Sequence, residues 1–204
     1  MPDLSPRDAI AAGLADLSLQ VTDTDIDRLL HFLELIERWN RVTNLTAVKS
    51  LPDMVALHLL DSLAVLPFIK GKTVLDVGSG AGLPGIPLAL LSPGKDFILL
   101  DAASKRTRFM TQAAIELGLT NVQIVHSRVE DYITTADHVI CRAFTSLEEF
   151  VSLCGELVNE GGSLLAMKGP AEAGIEAVEG WQLSKHTLNV PQLDGERYLM
   201  ELTR

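Results

Sequence analysis

Cysteine is scarce: Cys141 and Cys154 are the only two in 204 residues. That excludes a disulfide framework and a cysteine-rich zinc cluster, and the pair reads as free thiols of a reducing compartment. No uninterrupted apolar run approaches the ~20 residues of a membrane-spanning helix, so no membrane is expected. The opening residues, MPDLSPRDAI, lack the basic and apolar regions of a signal peptide, and we expect a cytoplasmic protein. No His, Cys, Asp or Glu group has metal-ligand spacing, so no metal is expected either. Internal repeats, low-complexity tracts and long linkers are also missing. Positive charge is short: 17 Lys and Arg against 27 Asp and Glu leave a net charge of −10. A generic nucleic-acid binder, which draws its affinity from neutralised phosphates, would not be this acidic.

The acidity is uneven. Residues 1–35 carry two basic and seven acidic side chains, and residues 143–204 carry four and ten. Residues 36–142 carry eleven basic and ten acidic, including most of the arginines. Local sign, not the total, steers a charged partner, so an RNA substrate is not excluded.

Length fits one domain with an appendage, and 47% hydrophobic residues supply a core easily. Ser5 as N-cap, Pro6 at the first position and Asp8 predict a helix to about Leu17. Thr22 or Thr24 can cap a second, in which Ile26, Leu29, Leu30, Leu33, Ile36 and Trp39 share one face. Pro52 opens a third, with Leu57, Leu60 and Leu63 on its apolar side, ending near Pro67. From Thr73 the pattern changes. Short apolar runs (TVLDV, FILLDA, VQIVHS, HVICRA, SLLAMKG) alternate with the helical segments PGIPLALL, SKRTRFMTQAAIELG and SLEEFVSLCGELV. Apolar runs without polar alternation suit parallel strands buried on both faces. Strand and helix in alternation predict a doubly wound, Rossmann-like α/β sheet. Trp181 to Arg204 can add antiparallel strands, with Leu188, Val190, Tyr198 and Met200 as their residues. The boundary falls near Lys70-Gly71-Lys72, giving a small helical N-terminal extension over 1–70 and the sheet domain over 71–204.

The stretch VLDVGSGAGLPGIPLAL, Val74 to Leu90, holds two glycine registers. Gly78, Gly80 and Gly82 make G-x-G-x-G; Gly80, Gly82 and Gly85 make the dinucleotide pattern G-x-G-x-x-G. It follows a strand, precedes a helix and has Asp101 ending the next strand, so a nucleoside is expected at this edge. Asp101 could grip ribose hydroxyls of either NAD or S-adenosylmethionine. Asp76, two residues before Gly78, would repel a pyrophosphate but could orient the loop or meet a cationic methionine moiety. Pro84 and Pro87 remove two backbone N–H groups that could cradle phosphates. Little chain remains for the substrate domain of an NAD enzyme. These features predict S-adenosylmethionine and a class I methyltransferase fold, with Gly78 and Gly80 close to the cofactor and Gly85 packing helix on strand. A non-enzymatic NAD(H)-binding sensor is the contrasting alternative.

The loop resembles that of the GidB/RsmG family. Further matches are RWNRVTNLTAV (Arg38–Val48), HLLDSL (His58–Leu63), LLDAASKRTRFM (Leu99–Met110), SRVED (Ser127–Asp131), ICRAF (Ile140–Phe144) and MKG (Met167–Gly169). Their order and spacing fit the family from about Arg38 to Gly169. The resemblance implies methylation of N7 of one guanine in small-subunit (16S) ribosomal RNA. It implies cofactor contacts at Gly78, Leu83, Val129, Glu130 and Arg142. Leu83 stands where phenylalanine is also frequent, and the acidity is a departure that points to an assembled ribosomal particle as substrate. A methyltransferase for another RNA or a small molecule is the alternative within enzymes.

The residues themselves fit a ring-nitrogen or hydroxyl acceptor. No N-P-P-Y-like tetrapeptide is present to grip an exocyclic amine, and Ile140, not proline, precedes Cys141. Arg142 leaves the fourth strand at the ligand edge and is expected to be catalytic, donating to guanine O6 or a phosphate; its structural reading is a cap on a carboxyl group. Lys105, Arg106, Arg108 and Arg128, with Arg38, Arg41, Lys49 and Lys168, form the expected phosphate track. His58 and Asp61 share one helix face and read as hydrogen-bonding rather than catalytic groups. Asn40 and Asn44 are expected to order the loop after the second helix, and Trp39 to join the core.

Overall fold

The structure, a computed structural model, describes residues 4–172, 174 and 177–204. Local signals set the first two helices. Ser5 accepts the Asp8 N–H and starts α1 (Pro6–Asp16). Thr22 and Asp25 form a reciprocal capping box ahead of α2 (Asp23–Thr43); such a cap contributes about 1 kcal/mol. Ile26, Leu29, Phe32, Leu33, Leu35 and Ile36 are the buried face of α2, which ends at Asn44 in the left-handed region. Asn40 orders the next loop, donating to the carbonyls of Thr46 and Val48 and accepting the Thr46 N–H. Trp39 packs edge-on against Phe109, with ring centroids 5.6 Å apart.

The third helical segment departs from expectation. Ser50, not Pro52, opens it as N-cap of α3 (Leu51–Met54). Val55–Leu60 then winds as a π-helix before α4 (Asp61–Leu63). The wider turn breaks the 3.6-residue period on which a Leu57–Leu60–Leu63 stripe depends. Leu60 and Leu63 are buried, whereas Leu57 lines a cavity. Leu51–Phe68 is long and apolar enough to cross a membrane by length and composition, but most of it is packed inside the protein.

The sheet contains β1 (Thr73–Val77), β2 (Asp96–Asp101), β3 (Val122–His126), β4 (Ala136–Arg142), β5 (Val158–Lys168), β6 (Gln182–Leu188) and β7 (Arg197–Thr203), in the order β3-β2-β1-β4-β5-β7-β6. The first five run parallel, and β7 lies antiparallel between β5 and β6. Val190 falls beyond β6, buried in the loop rather than in a strand. The strands are covered by α5 (Gly85–Leu91), α6 (Ser104–Glu116) and α7 (Leu147–Cys154). One apolar cluster joins the N-terminal helices to β1, α5 and α6; a second joins the strands to α7. The second holds both cysteines, and burial pushes the Cys154 thiol up to about 12, which removes it as a nucleophile.

Strand order reverses between β1 and β4, so a crevice opens where their carboxyl ends diverge. The opposite edge anchors the linker. His138 Nε2 accepts the N–H groups of Lys70 and Gly71 at 3.1 and 2.8 Å, and Nδ1 pairs with Ser163 Oγ. Asp137 accepts the N–H groups of Lys72 and Thr73.

Candidate functional site

The loop from β1 to α5 is built around two glycines with different reasons. Gly78 takes a φ of +69°, and a Cβ on it would come 2.6 Å from Phe144 Cδ2. Only glycine meets both conditions without strain. At Gly85 a Cβ would come 2.7 Å from Asp76 Oδ2 and 2.9 Å from Leu99 Cγ. Gly85 is therefore a packing glycine. Asp76 Oδ2 accepts the Gly85 N–H at 2.9 Å, while Oδ1 is buried with no hydrogen-bond partner among the described residues. Burial pushes the Asp76 carboxyl up to about 7. At the end of β2, Asp101 accepts the Gly80 N–H through Oδ2 at 2.9 Å and the Ala103 N–H through Oδ1 at 2.8 Å. Arg106 Nη1 lies 3.4 Å from the same Oδ2.

Two cavities meet at this edge. The first, about 390 Å³, is lined by Gly78, Asp101, Arg106, Val129, Glu130 and Phe144 among others. The second, about 350 Å³, lies across β4 and includes Leu57, Asp61, Arg142, Lys168, Arg197 and Tyr198. Ala143 lines both, with a φ of +50°, a conformation uncommon outside glycine.

The second cavity is cationic around one acid. Arg142 Nη1 donates to the Leu57 carbonyl at 2.9 Å and to Asp61 Oδ2 at 3.0 Å. Arg197 Nε lies 3.5 Å from Asp61 Oδ1, and that oxygen is buried without a hydrogen bond among the described residues. Lys168 donates to the Thr145 carbonyl at 2.5 Å. His58 does not bond Asp61; its Nε2 pairs with Thr46 Oγ1 at 2.8 Å. Burial, followed by the Arg142 charge, lowers His58 to about 4, so it stands neutral beside the guanidinium.

A model of the GidB family, described as rRNA small subunit methyltransferase G, matches residues 25–199. The chain belongs to the GidB family. It is 46% identical over 197 residues to the ribosomal RNA small subunit methyltransferase G of Marinobacter nauticus, covering 94% of this chain and 92% of that protein. It is 43% identical over 210 residues to the protein of the same name from Neisseria meningitidis, covering 97% and 98%. Solved structures share the fold. A SAM-dependent methyltransferase from Aquifex aeolicus superposes with a TM-score of 0.56 at 15% identity, over 74% of this chain and 92% of that one. TYW2 of M. jannaschii, in complex with AdoMet, superposes with a TM-score of 0.55 at 16% identity, over 71% and 74%. The class I methyltransferase fold expected from the strand–helix pattern is the fold observed.

Within this GidB-family chain, Gly78, Asp101, Val129 and Glu130 come together on the first cavity. The other four expected cofactor residues fall elsewhere. Asp76 sits beneath the loop and holds its helix, and Gly80 gives its N–H to Asp101. The Leu83 side chain is turned into the apolar core, 4% exposed. Arg142 lines the second cavity because β4 ends with its side chain on the Asp61 side. Of the expected phosphate track, Arg106 and Arg128 line the first cavity, whereas Lys168 is buried at the second. Arg197 carries no signal in the sequence, and Tyr198 is expected there only as a strand residue. They reach the site because β7 runs antiparallel and begins at the edge where β4 and β5 end.

Proposed function

We propose that this chain transfers a methyl group from S-adenosylmethionine to N7 of one guanine of 16S ribosomal RNA. In this reading residues 1–70 are a helical extension and 71–204 the methyltransferase domain, acting in the cytoplasm on a small subunit or its assembly particle. The reading is carried by the two cavities that share Ala143. One has a glycine loop beside an acid and apolar walls, and the other is lined by Arg142, Lys168 and Arg197. A nucleoside cofactor and an anionic substrate can therefore meet at one point of the sheet edge.

The residues of the first cavity fit the cofactor. Gly78 offers bare backbone, Asp101 has acceptor capacity left for ribose hydroxyls, and Val129 with Glu130 borders the far wall. Asp76 holds the loop through Oδ2, and its buried Oδ1 has no hydrogen-bond partner among the described residues, which suits a nearby cation better than a pyrophosphate. S-adenosylmethionine supplies an electrophilic methyl on sulfur. Guanine N7 bears no proton, so the chain needs to position the base rather than deprotonate it. Arg142, pinned through one nitrogen, keeps further N–H groups for the base.

The test is methyl incorporation from labelled S-adenosylmethionine into small subunits and into free 16S rRNA, with the product located by cleavage at 7-methylguanine. One labelled guanine in the subunit supports the reading; label on another atom or another RNA overturns it. Arg142→Ala should abolish incorporation while the protein still binds S-adenosylhomocysteine, and normal turnover in that variant would remove Arg142 from the site.

A further inference from the structure

Asp61 is an acid where RNA is expected to dock; its Oδ1 is covered in this structure, so a base reaches it only when Arg197 swings aside. Asp61 is 6% exposed and lines the second cavity, and Oδ2 is held by Arg142 Nη1 at 3.0 Å. Oδ1 has no hydrogen bond among the described residues, and Arg197 Nε stands 3.5 Å away, beyond good hydrogen-bond distance. A buried acceptor left without a donor in this way costs stability. The chain fixes it there at some effort. Asp61 follows directly on the π-helix, and both of its arginine neighbours come from distant strands, β4 and β7.

We propose that Asp61 reads the Watson–Crick edge of the target base and makes the site specific for guanine. This rests on the function proposed above. Guanine is the base that presents two adjacent donors, N1–H and N2–H₂, next to an acceptor, O6. A carboxylate beside a guanidinium is the complement of that row, and an enzyme that flips a base can read it there. Arg142 contacts Asp61, and Ala143, the next residue in the chain, lines both cavities. Asp61 accepts from N1–H and N2–H₂, Arg142 donates to O6, and N7 is left toward Ala143 and the cofactor side. Adenine would set its N1 lone pair against the carboxylate and its amino group against the guanidinium, so it is rejected twice.

The test uses small subunits reconstituted with 16S rRNA carrying either guanosine or inosine at the methylated position. Inosine keeps O6, N1–H and N7 and lacks only the N2 amino group. The wild-type protein should methylate the inosine particle about ten- to a hundred-fold more slowly in kcat/KM, and bind it more weakly in the presence of S-adenosylhomocysteine. Asp61→Asn should be slower on guanosine, should bind S-adenosylhomocysteine as wild type does, and should no longer distinguish the two particles. If wild type treats both alike, or if D61N keeps the wild-type ratio, Asp61 does not read the base and the inference is overturned. Equal treatment by wild type overturns the inference even if D61N does not fold, and Asp61→Ser then takes the place of D61N in the comparison. Failure of wild type to methylate the guanosine particle would instead strike the proposed function itself, and the inference with it.

Discussion

The Phe144 ring closes over Gly78: a Cβ on that glycine would come 2.6 Å from Phe144 Cδ2, and its φ of +69° already disfavours any side chain. The two residues come from different loops, after β1 and after β4, and together they shape one wall of the first cavity. Gly78→Ala should cost about 1–2 kcal/mol through the left-handed backbone alone. It should also weaken S-adenosylhomocysteine binding about ten-fold or more by displacing Phe144. Calorimetry on this variant, and on G78A combined with Phe144→Ala, checks it: partial recovery in the pair is expected, and none would mean that Phe144 is not the obstacle.

Gly85→Ala should destabilise the fold by about 1–3 kcal/mol, since its methyl group would overlap Asp76 Oδ2 and Leu99. Both neighbours are buried, so relief must come from backbone movement. Denaturant unfolding measures the loss. An unchanged midpoint would show that the start of α5 can shift without penalty.

The Asp76 carboxyl, raised to about 7 by burial, makes stability fall as pH rises. Below the unfolded value near 4 the group is protonated in both states. Between there and about 7 the folded chain binds the extra proton, so stability declines through that window. Asp76→Asn should remove this decline while keeping a side-chain oxygen for the Gly85 N–H. Thermal melting of D76N and wild type at pH 5 and pH 8 is the comparison. The variant should gain relative to wild type at the higher pH.

Two histidines act in the opposite sense. Burial lowers His58 to about 4 and also lowers His138, whose Nε2 accepts two linker N–H groups and has no place for a proton. The unfolded chain takes up these protons near pH 6.5 and the folded chain only below that, so both groups withdraw stability as pH falls from about 6.5. His138→Gln should flatten part of this acid limb in a pH series of unfolding midpoints. An acid limb identical to wild type would assign it to other groups.

Salt should act on the RNA step and spare the cofactor step. Arg142 and Arg197 are partly exposed at the second cavity, and Arg38, Arg41, Lys49 and Lys105 are exposed elsewhere. Methylation of subunits should fall steeply between 50 and 200 mM salt, on the order of the counterion-release slopes of RNA binders. S-adenosylhomocysteine affinity should barely move. A flat activity profile would count against phosphate contact through these groups.

What could be read locally was read well. Ser5 and Thr22 as caps, the five parallel strands, and Gly85 as a packing residue all depend on neighbours within a few positions, or on a period that the chain displays. The α2 stripe succeeded for the same reason. Of the third stripe, Leu60 and Leu63 are buried as expected and only Leu57 is half-buried, because the π-turn shifts it toward the second cavity, where its carbonyl meets Arg142. The Leu83 side chain lies outside the first cavity because its direction follows from the core that surrounds it.

Sequence alone determined the chemistry on offer: a glycine turn at the end of a buried strand, an acid after the next, and an arginine after the fourth. Each follows from rules that hold over one or two elements. Only the tertiary structure decided that this chemistry divides between two cavities joined at Ala143. Asp61 and Arg142 are far apart in the chain, and Arg197 is farther still. They meet because parallel β4 ends, and antiparallel β7 begins, at the edge where the N-terminal helices pack. Strand direction and order are properties of the assembled sheet, set by how all its faces are buried together.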